Sequence, residues 1–581
     1  MPTGIVKRSA VLVGLLIAAA GLFAVLFIAA VHAYPGDSDS ASVVLEGQAM
    51  AHGNLLLHGW ELSLDSFWSV DAPFYLVATA LSGIRGSLIF AVPAAIAVVI
   101  ICIGVFMACE KRQGAAAVAA GATVVAILGL PGHVLSIFFV HGGWHVTTAM
   151  LALIAFLGLR KRVFGWAWVV AVLVLTAGLL GDLMIVPLAI APIVGAGLVA
   201  MMRTRDLRAG LSALAAAGAA VVLAVIGRAV VVALGGFAVG GPNRRPPIAQ
   251  IFSNVAHGLH QGAVLLGVGS SYLGLGGEPD PLSWVHVLAV AVIFVAVAGA
   301  CVALLMGALR GRPTVVGAGS RDDAWHLDDM LLIASTASFV TFVLLALAPD
   351  MKYSRYLTGG VIFGTILAGR MVGRFVKALP ATGWAIRACI AVGMIAVTCF
   401  AAGLVVNISQ PVPQQPASRL SSFLEAHGLT RGIGDYWSAS IVTVVSHAQV
   451  KVRPVISAYL EPASTSNARP VGHAPQKFRS GVRKAALGSA AGNTPNIHLV
   501  RYARESANSW YAKPFRFLVY NYRGPWGNVT SATADATFGI PKHVYVVGPY
   551  QVMVWPHRLI VPAHGAASGG SHRASGPRRR R

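Results

Sequence analysis

The chain carries little charge. Asp, Glu, Lys and Arg make up 11% of its 581 residues, about half of the roughly 25% usual in soluble domains. That shortage excludes an ordinary water-soluble globule. Cysteine is also scarce, and Cys102, Cys109, Cys301, Cys389 and Cys399 all fall within apolar runs, where a thiol packs as a small hydrophobe. None lies beyond Cys399, so no disulfide framework supports the C-terminal region, and the cysteines leave the compartment undecided. Acid is the rarer sign of charge, 21 Asp and Glu against 44 Lys and Arg, for a net charge of +23. A phosphate loop is missing too: "GVGSSYLGLGG" at 267–277 is rich in glycine, but no Gly-Lys-Ser/Thr follows it.

What is abundant is apolar sequence, 56% of residues, with a mean hydropathy of +0.71. Apolar runs fall near 9–33, 87–109, 114–131, 145–159, 163–181, 183–202, 210–234, 284–308, 330–348, 357–376 and 387–406. Runs of about 20 residues cross a hydrocarbon core of about 30 Å. The prediction is a polytopic α-helical membrane protein with about 11 transmembrane helices, give or take two. The shorter stretches 72–84 and 133–141 suit re-entrant or interfacial segments. The run at 9–33 is too long for a signal peptide, and an uncleaved first helix is expected. Lys7, Arg8, "EKR" at 110–112, "RKR" at 160–162, "RTRDLR" at 203–208, "RGR" at 310–312 and Arg370, Arg374 and Lys377 fall on one side. The positive-inside rule makes that side, and the N-terminus, cytoplasmic. An odd number of spans then places residues 407–581 outside. The Ala- and Gly-rich composition suggests a bacterial plasma membrane protein.

From Asn407 the character changes. A Pro/Gln linker, "SQPVPQQPAS", precedes helix-like "SRLSSFLEAHG", which ends on Gly428. "SIVTVVS", "VKVRPVIS", "FRFLVYNY", "HVYVVG" and "YQVMVW" follow as expected strands. Residues 407–562 are therefore expected to form a soluble, extracytoplasmic α/β domain, and 563–581 a disordered basic tail. Anionic lipid or cell-wall polymer suits that tail better than nucleic acid.

The loop at 34–86 after the first span contrasts with the net charge. Asp37, Asp39, Glu46, Glu61, Asp65 and Asp71 precede its first basic residue, Arg85. "SASVVLEGQAMAHGN" has helical spacing with a stop at Gly53-Asn54, and "LLLHGWELSLDSFWSV" has the aromatic mix of an interfacial helix. Such acids are also common as helix caps.

The first helix, then Asp39, then Met50 and Gly53, resembles the GT-C class of membrane glycosyltransferases, which includes protein O-mannosyltransferases and arabinofuranosyltransferases. In that class the first outer loop carries a catalytic Asp, often followed by Glu; here Ser40 stands in the second place. The resemblance covers roughly residues 1–406, and it implies a GT-C-like domain moving a sugar from a polyprenyl phosphate to a glycan, lipid or protein acceptor of the cell envelope. It implies Asp39 as general base, oriented by Asp37, since the attacking hydroxyl must lose a proton. The leaving phosphate needs cations, and "SRYL" resembles the donor-binding segment of the class. That implicates Arg355 and Lys352, scarce outer cations in "APDMKYSRYLTGG", with Tyr356 beside them. An interfacial Tyr-Arg anchor would leave the same pattern.

Three further outer features stand out. Asp182, between two apolar runs, has no basic neighbour in sequence, and an ionisable group at that depth suggests function. Trp144 and His145 in "VHGGWHVTT" suit a sugar pocket or an aromatic belt. His141 and His145 are four apart, but without a third ligand no metal or other cofactor is expected. Arg228, deep in the seventh run, suits either a phosphate ligand or the partner of an outer Asp. The stretches 242–247 and 267–284 suggest a long outer loop between spans seven and eight. In the tail, Asp435, Tyr436 and Trp437 suit a glycan contact or an aromatic core. Two alternatives stay open: a transporter or lipid flippase with Asp182 and Arg228 as a charge pathway, and a non-catalytic envelope scaffold.

Overall fold

The computed structural model describes residues 3–160, 164–204, 207–240, 246–268, 283–310, 324–346, 351–379, 383–459, 497–502, 506–522 and 529–562. The basic tail at 563–581 and most of the two outer stretches at 242–247 and 267–284 lie outside these residues. The chain divides into two compact units, 1–415 and 416–581, with the boundary inside the Pro/Gln linker.

The first unit is helical: α1 (Thr3–Ala33), α2 (Ser38–Ala51), α3 (Ala72–Ser82), α4 (Leu88–Cys109), α5 (Gly114–Val124), α6 (His133–Phe139), α7 (Val146–Leu159), α8 (Trp166–Gly181), α9 (Ala191–Thr204), α10 (Leu207–Ala233), α11 (Ile248–Leu265), α12 (Ser283–Arg310), α13 (Ala324–Leu345), α14 (Arg355–Ala378) and α15 (Gly383–Ser409). Helices occupy every apolar run named above. Among the described residues five are long and apolar enough to cross a bilayer: Leu12–Ala33, Leu88–Cys109, Gly210–Ala233, Leu327–Leu345 and Met351–Ala378. A sixth arises if α5 and α6, bent by 87° at the break between them, count as one span. Most of the remaining runs form shorter apolar helices. The unit thus has the make-up of a membrane protein.

Close approach of backbones organises its centre. Gly369 and Gly373, one turn apart on α14, face Ala120 and Ala116 of α5; a Cβ on either would lie 2.7 or 2.9 Å from the opposing carbonyl oxygen. Small residues at such spacing let apolar helices pack without a hydrophobic driving force. At the far end of α14 lies an ion-pair network. Arg370, 1% exposed, pairs with Asp328 of α13 and reaches Glu110 at 3.7 Å, and Glu110 also pairs with Arg160 at 2.6 Å. Arg374 joins the same Asp328. Residues from four helix ends thus converge, as expected if these basic stretches share a side.

Two expectations for this unit change. "LLLHGWELSLDSFWSV" is not an interfacial helix, because Leu57, Gly59 and Phe67 all have positive φ, which breaks any helix. It turns instead and forms β1 (Trp60–Leu62), parallel to β2 (Ala238–Val239). The stretch after span seven is not merely loop: Pro247 precedes α11, as proline can at a helix start. Its apolar residues Ile248, Phe252, Val255 and Leu259 are exposed, while Asn254 and Gln261 are buried. Asn254 donates to the carbonyls of Val343 and Ala346 at 3.0 and 2.8 Å. Over its first three turns the helix thus buries a polar residue and leaves large apolar ones exposed, the reverse of a soluble surface helix, while Val264 and Leu265 at its end are buried.

The second unit has α16 (Pro416–Ala426), β3 (Arg431–Gly434), α17 (Tyr436–Val445), β4 (Lys451–Tyr459), β5 (Ile497–Arg501), a two-residue β6 (Ser506–Ala507), β7 (Phe515–Asn521), α18 (Ser531–Phe538), β8 (His543–Val547) and β9 (Tyr550–Leu559). Six strands form one sheet in the order β5-β4-β3-β7-β9-β8, with β3 parallel to β4 and β7 and the outer pairs antiparallel. This is an α/β unit, with one correction: "SIVTVVS" lies in α17, not in a strand. Asp435 caps that helix through Ser438, and Ile441, Val442 and Val444 are buried by it. Packing at helical spacing overrides the β-propensity of the run.

Candidate active site

The acids and histidines predicted from sequence come together around the start of α2, the loop before α7 and the start of α14. Asp37 is the N-cap of α2. Its Oδ1 accepts from the Ser40 backbone N–H at 2.9 Å and the Ser40 hydroxyl at 2.8 Å, and its Oδ2 accepts from Tyr34 at 3.2 Å and lies 3.3 Å from His141 Nε2. Burial pushes the Asp37 carboxyl up, but His141 and the Ser40 donors outweigh it and hold it below its usual range. Its lone pairs are thus engaged within the chain, where they hold the start of α2.

Asp39 lies in the first turn of α2, half-buried, and the Arg355 guanidinium feels its charge together with that of Asp65. Arg355 opens α14 with its guanidinium 5.2 Å from the Tyr356 ring centre, and its buried Nε has no hydrogen-bond partner. Tyr356 stacks in turn on His145, with ring centres 5.5 Å apart. Lys352 sits one turn earlier, over Tyr353 at 5.1 Å. Gln261 of α11 accepts from Ser354 at 2.9 Å, tying that outward-facing helix to the same corner.

Asp182, which has no partner in sequence, has three in space. His145 Nδ1 lies 2.8 Å from its Oδ2, Thr148 donates to the same oxygen, and the Met184 N–H donates to Oδ1 at 2.9 Å. Two strained residues hold this pair. His145 has φ +68° and Phe67 φ +52°, both in the left-handed region, with their rings 5.6 Å apart. Non-glycine residues rarely adopt that region, and they cluster at functional sites.

Asp65 and Asp71 belong to the site although sequence reasoning did not single them out. Burial pushes Asp65 up, reinforced by Asp182 and opposed by His145 and Arg355. Asp71 begins α3 and accepts from Thr147 at 2.6 Å, and burial raises its carboxyl to about 6. The adjacent Tyr75 hydroxyl is buried without a partner, and Gly47 and Gly142 crowd Tyr75 so closely that neither has room for a Cβ. Their membership of one acidic stretch was the available signal for both acids.

Other candidates fall elsewhere. Trp144 is 5% exposed, its ring covered by His141 at 3.6 Å and Phe138 at 5.0 Å, so it supports His141 rather than offering a face to a sugar. Arg228 lies over Phe237 at 4.7 Å and joins neither Asp182 nor the phosphate candidates. His141 and His145 precede α7 on a loop, so their spacing does not place them on one helix face. Among the described residues no group of three His, Cys, Asp or Glu is placed to hold a metal ion. In the second unit Asp435 is buried while Trp437 is exposed; burial raises the Asp435 carboxyl against three hydrogen bonds from Ser438 and Asn521.

The arrangement sets carboxylates with different environments around one guanidinium. Such a site can hold an anion at Arg355 while a nearby carboxylate accepts a proton. No known family model matches the chain, and no curated protein matches it in sequence.

Proposed function

We propose that this protein is an integral membrane glycosyltransferase that moves a sugar from a polyprenyl-phosphate donor to an extracytoplasmic cell-envelope acceptor. The observation that carries this reading is the convergence of Arg355 with Asp39 and Asp65 beside the His145–Asp182 pair. Arg355, with Lys352, holds the donor phosphate. Asp39 takes the proton of the acceptor hydroxyl as the sugar–phosphate bond breaks, and Asp37 fixes the start of α2. Tyr356, His145 and Asp182 shape the sugar side, and the reaction as drawn uses no metal or other cofactor. The outward apolar face of α11 gives a polyprenyl chain a surface beside the phosphate corner. In this reading the eleven apolar runs all span the plasma membrane, the ion-pair end of α14 is cytoplasmic and the acid-lined end outside. The transporter alternative is less well supported, because Asp182 pairs with His145 while Arg228 packs on Phe237, so the charge pathway it needs is not assembled.

The test is sugar transfer from a radiolabelled polyprenyl-phosphate sugar panel by membranes expressing wild type or Asp39→Asn. Removing a general base costs about 10²–10⁴-fold in rate, so the variant should fall by that much at equal protein level, and Arg355→Gln should weaken donor use. Transfer that survives in Asp39→Asn would move the base elsewhere. No transfer by wild type from any donor, with the acceptor present, would overturn the proposal.

A further inference from the structure

The second unit carries a row of arginines that, among the described residues, no acid matches. Arg431 on β3, Arg453 on β4 and Arg501 on β5 lie on one face of the sheet. The register pairs Arg431 with Lys451, Ile433 with Arg453 and Val455 with Arg501, so each arginine is one strand over and two residues along from the last. With strands about 4.8 Å apart and about 3.3 Å per residue, successive Cα atoms are about 8 Å apart. An aromatic ring backs each one: Phe515 at 5.1 Å from Arg431, Trp510 at 3.9 Å from Arg453 and Tyr511 at 5.3 Å from Arg501.

Their hydrogen bonding is incomplete. Arg453 is 9% exposed, and its buried Nε and Nη1 have no partner. Arg431 donates to the Trp510 carbonyl at 2.8 Å but leaves its own buried Nε unpartnered. Arg501 donates to the Val561 carbonyl at 3.2 Å. Among the described residues no carboxylate pairs with any of the three. Burial and the like charge of Arg431 bring Arg453 down to about 10, with Tyr511 opposing. A buried, unpaired guanidinium is costly, and three in a row repel one another. The cost falls if an anion completes the cluster.

We propose that this row is an anion site that binds a phosphate group, independent of the membrane unit and of the reading given for it. A carboxylate brings one charge and two oxygens. A phosphate brings up to two charges and three acceptor oxygens, which better suits several guanidinium forks whose flat donor edges match it. Lys451 and Lys513, exposed at the rim, add positive charge on the approach.

The test is phosphorus NMR of inorganic phosphate titrated with the full-length protein in a phosphate-free maltoside detergent. Because Arg355 is the phosphate ligand proposed for the membrane unit, the Arg453 and Arg431 variants are made and compared in the Arg355→Gln background, where broadening of the phosphate line should persist. Arg453→Gln and Arg431→Gln should each weaken binding at least tenfold, with Arg453→Lys intermediate because it keeps the charge but loses the fork. Arg431 is the more exposed of the two, so its variant tests the site even if Arg453→Gln fails to fold. Competition then names the source of the phosphate. Displacement by phosphatidylglycerol vesicles indicates a lipid headgroup, displacement by soluble poly(glycerol phosphate) alone a polymer, and displacement by neither a free phosphate. No broadening in the Arg355→Gln background, or broadening unchanged in both arginine variants, would overturn the proposal.

Discussion

Arg370 and Arg453 are both buried guanidiniums, one in each unit, and the protein treats them differently. Arg370 has Asp328 within hydrogen-bond reach and Glu110 behind it, so its charge is settled inside the chain. Arg453 has an aromatic ring, a like-charged neighbour and two unpartnered nitrogens. The difference teaches how to tell architecture from a binding site. A buried cation with its counter-ion built in joins helix ends, whereas one without it has a place for a ligand.

Breaking the first half of that comparison should have the largest effect. Arg370→Met leaves Asp328 buried with only Arg374 beside it, and removing one partner of a buried pair costs about 3–5 kcal/mol. Thermal unfolding in detergent should show a large loss, while the double variant Arg370→Met, Asp328→Leu should recover much of it. No loss in the single variant would mean the network is solvated and incidental.

An acid that burial, as at Arg453, drives toward its neutral form gives the next effect. Asp71 has its carboxyl raised to about 6 from an ordinary 3.8. A raised acid contributes its stability below the unfolded value, and that contribution is lost as pH rises through about 6. Two pH units correspond to about 3 kcal/mol at most. Asp71→Asn keeps an oxygen for Thr147, so it should raise the unfolding midpoint near neutral pH and leave it unchanged below about pH 4. An equal shift at both pH values would remove the titration from the explanation.

Arg453 itself should give the smallest and most informative change. In phosphate-free buffer Arg453→Met should be within about 1 kcal/mol of wild type or more stable, because replacing an unpaired buried charge by an apolar side chain relieves desolvation. Measured beside Arg370→Met, it should differ in sign or nearly vanish. A loss as large as that of Arg370→Met would make Arg453 structural.

Much of this was legible in the sequence, for identifiable reasons. Long apolar runs mark helices by composition alone, and the outer acids and the "SRYL" cation stood out because charge is so scarce in this chain. What was not legible depended on pairing across distance. Nothing local told Asp182 that His145 and Thr148 would surround it, or that the arginines of β3, β4 and β5 would align. The β-branched run in α17 misled because its burial is set by the sheet beneath it. The exposed apolar face of α11 had the right period but sat among prolines and glycines that spoke for a loop.

Tyr75 leaves one more consequence, an evolutionary one. Its ring and backbone fill the space that side chains at positions 47 and 142 would otherwise use. Positions 75 and 142, far apart along the chain, are thereby coupled in inheritance. Gly47 meets the backbone and Cβ of position 75 and should stay glycine whatever residue stands there, whereas Gly142 meets the ring and hydroxyl, so a lineage that trades the tyrosine for a smaller residue should be the first to show alanine or serine at 142. Covariation of 75 with 142, beside an invariant glycine at 47, is the signature by which this corner of the site would be seen to be preserved.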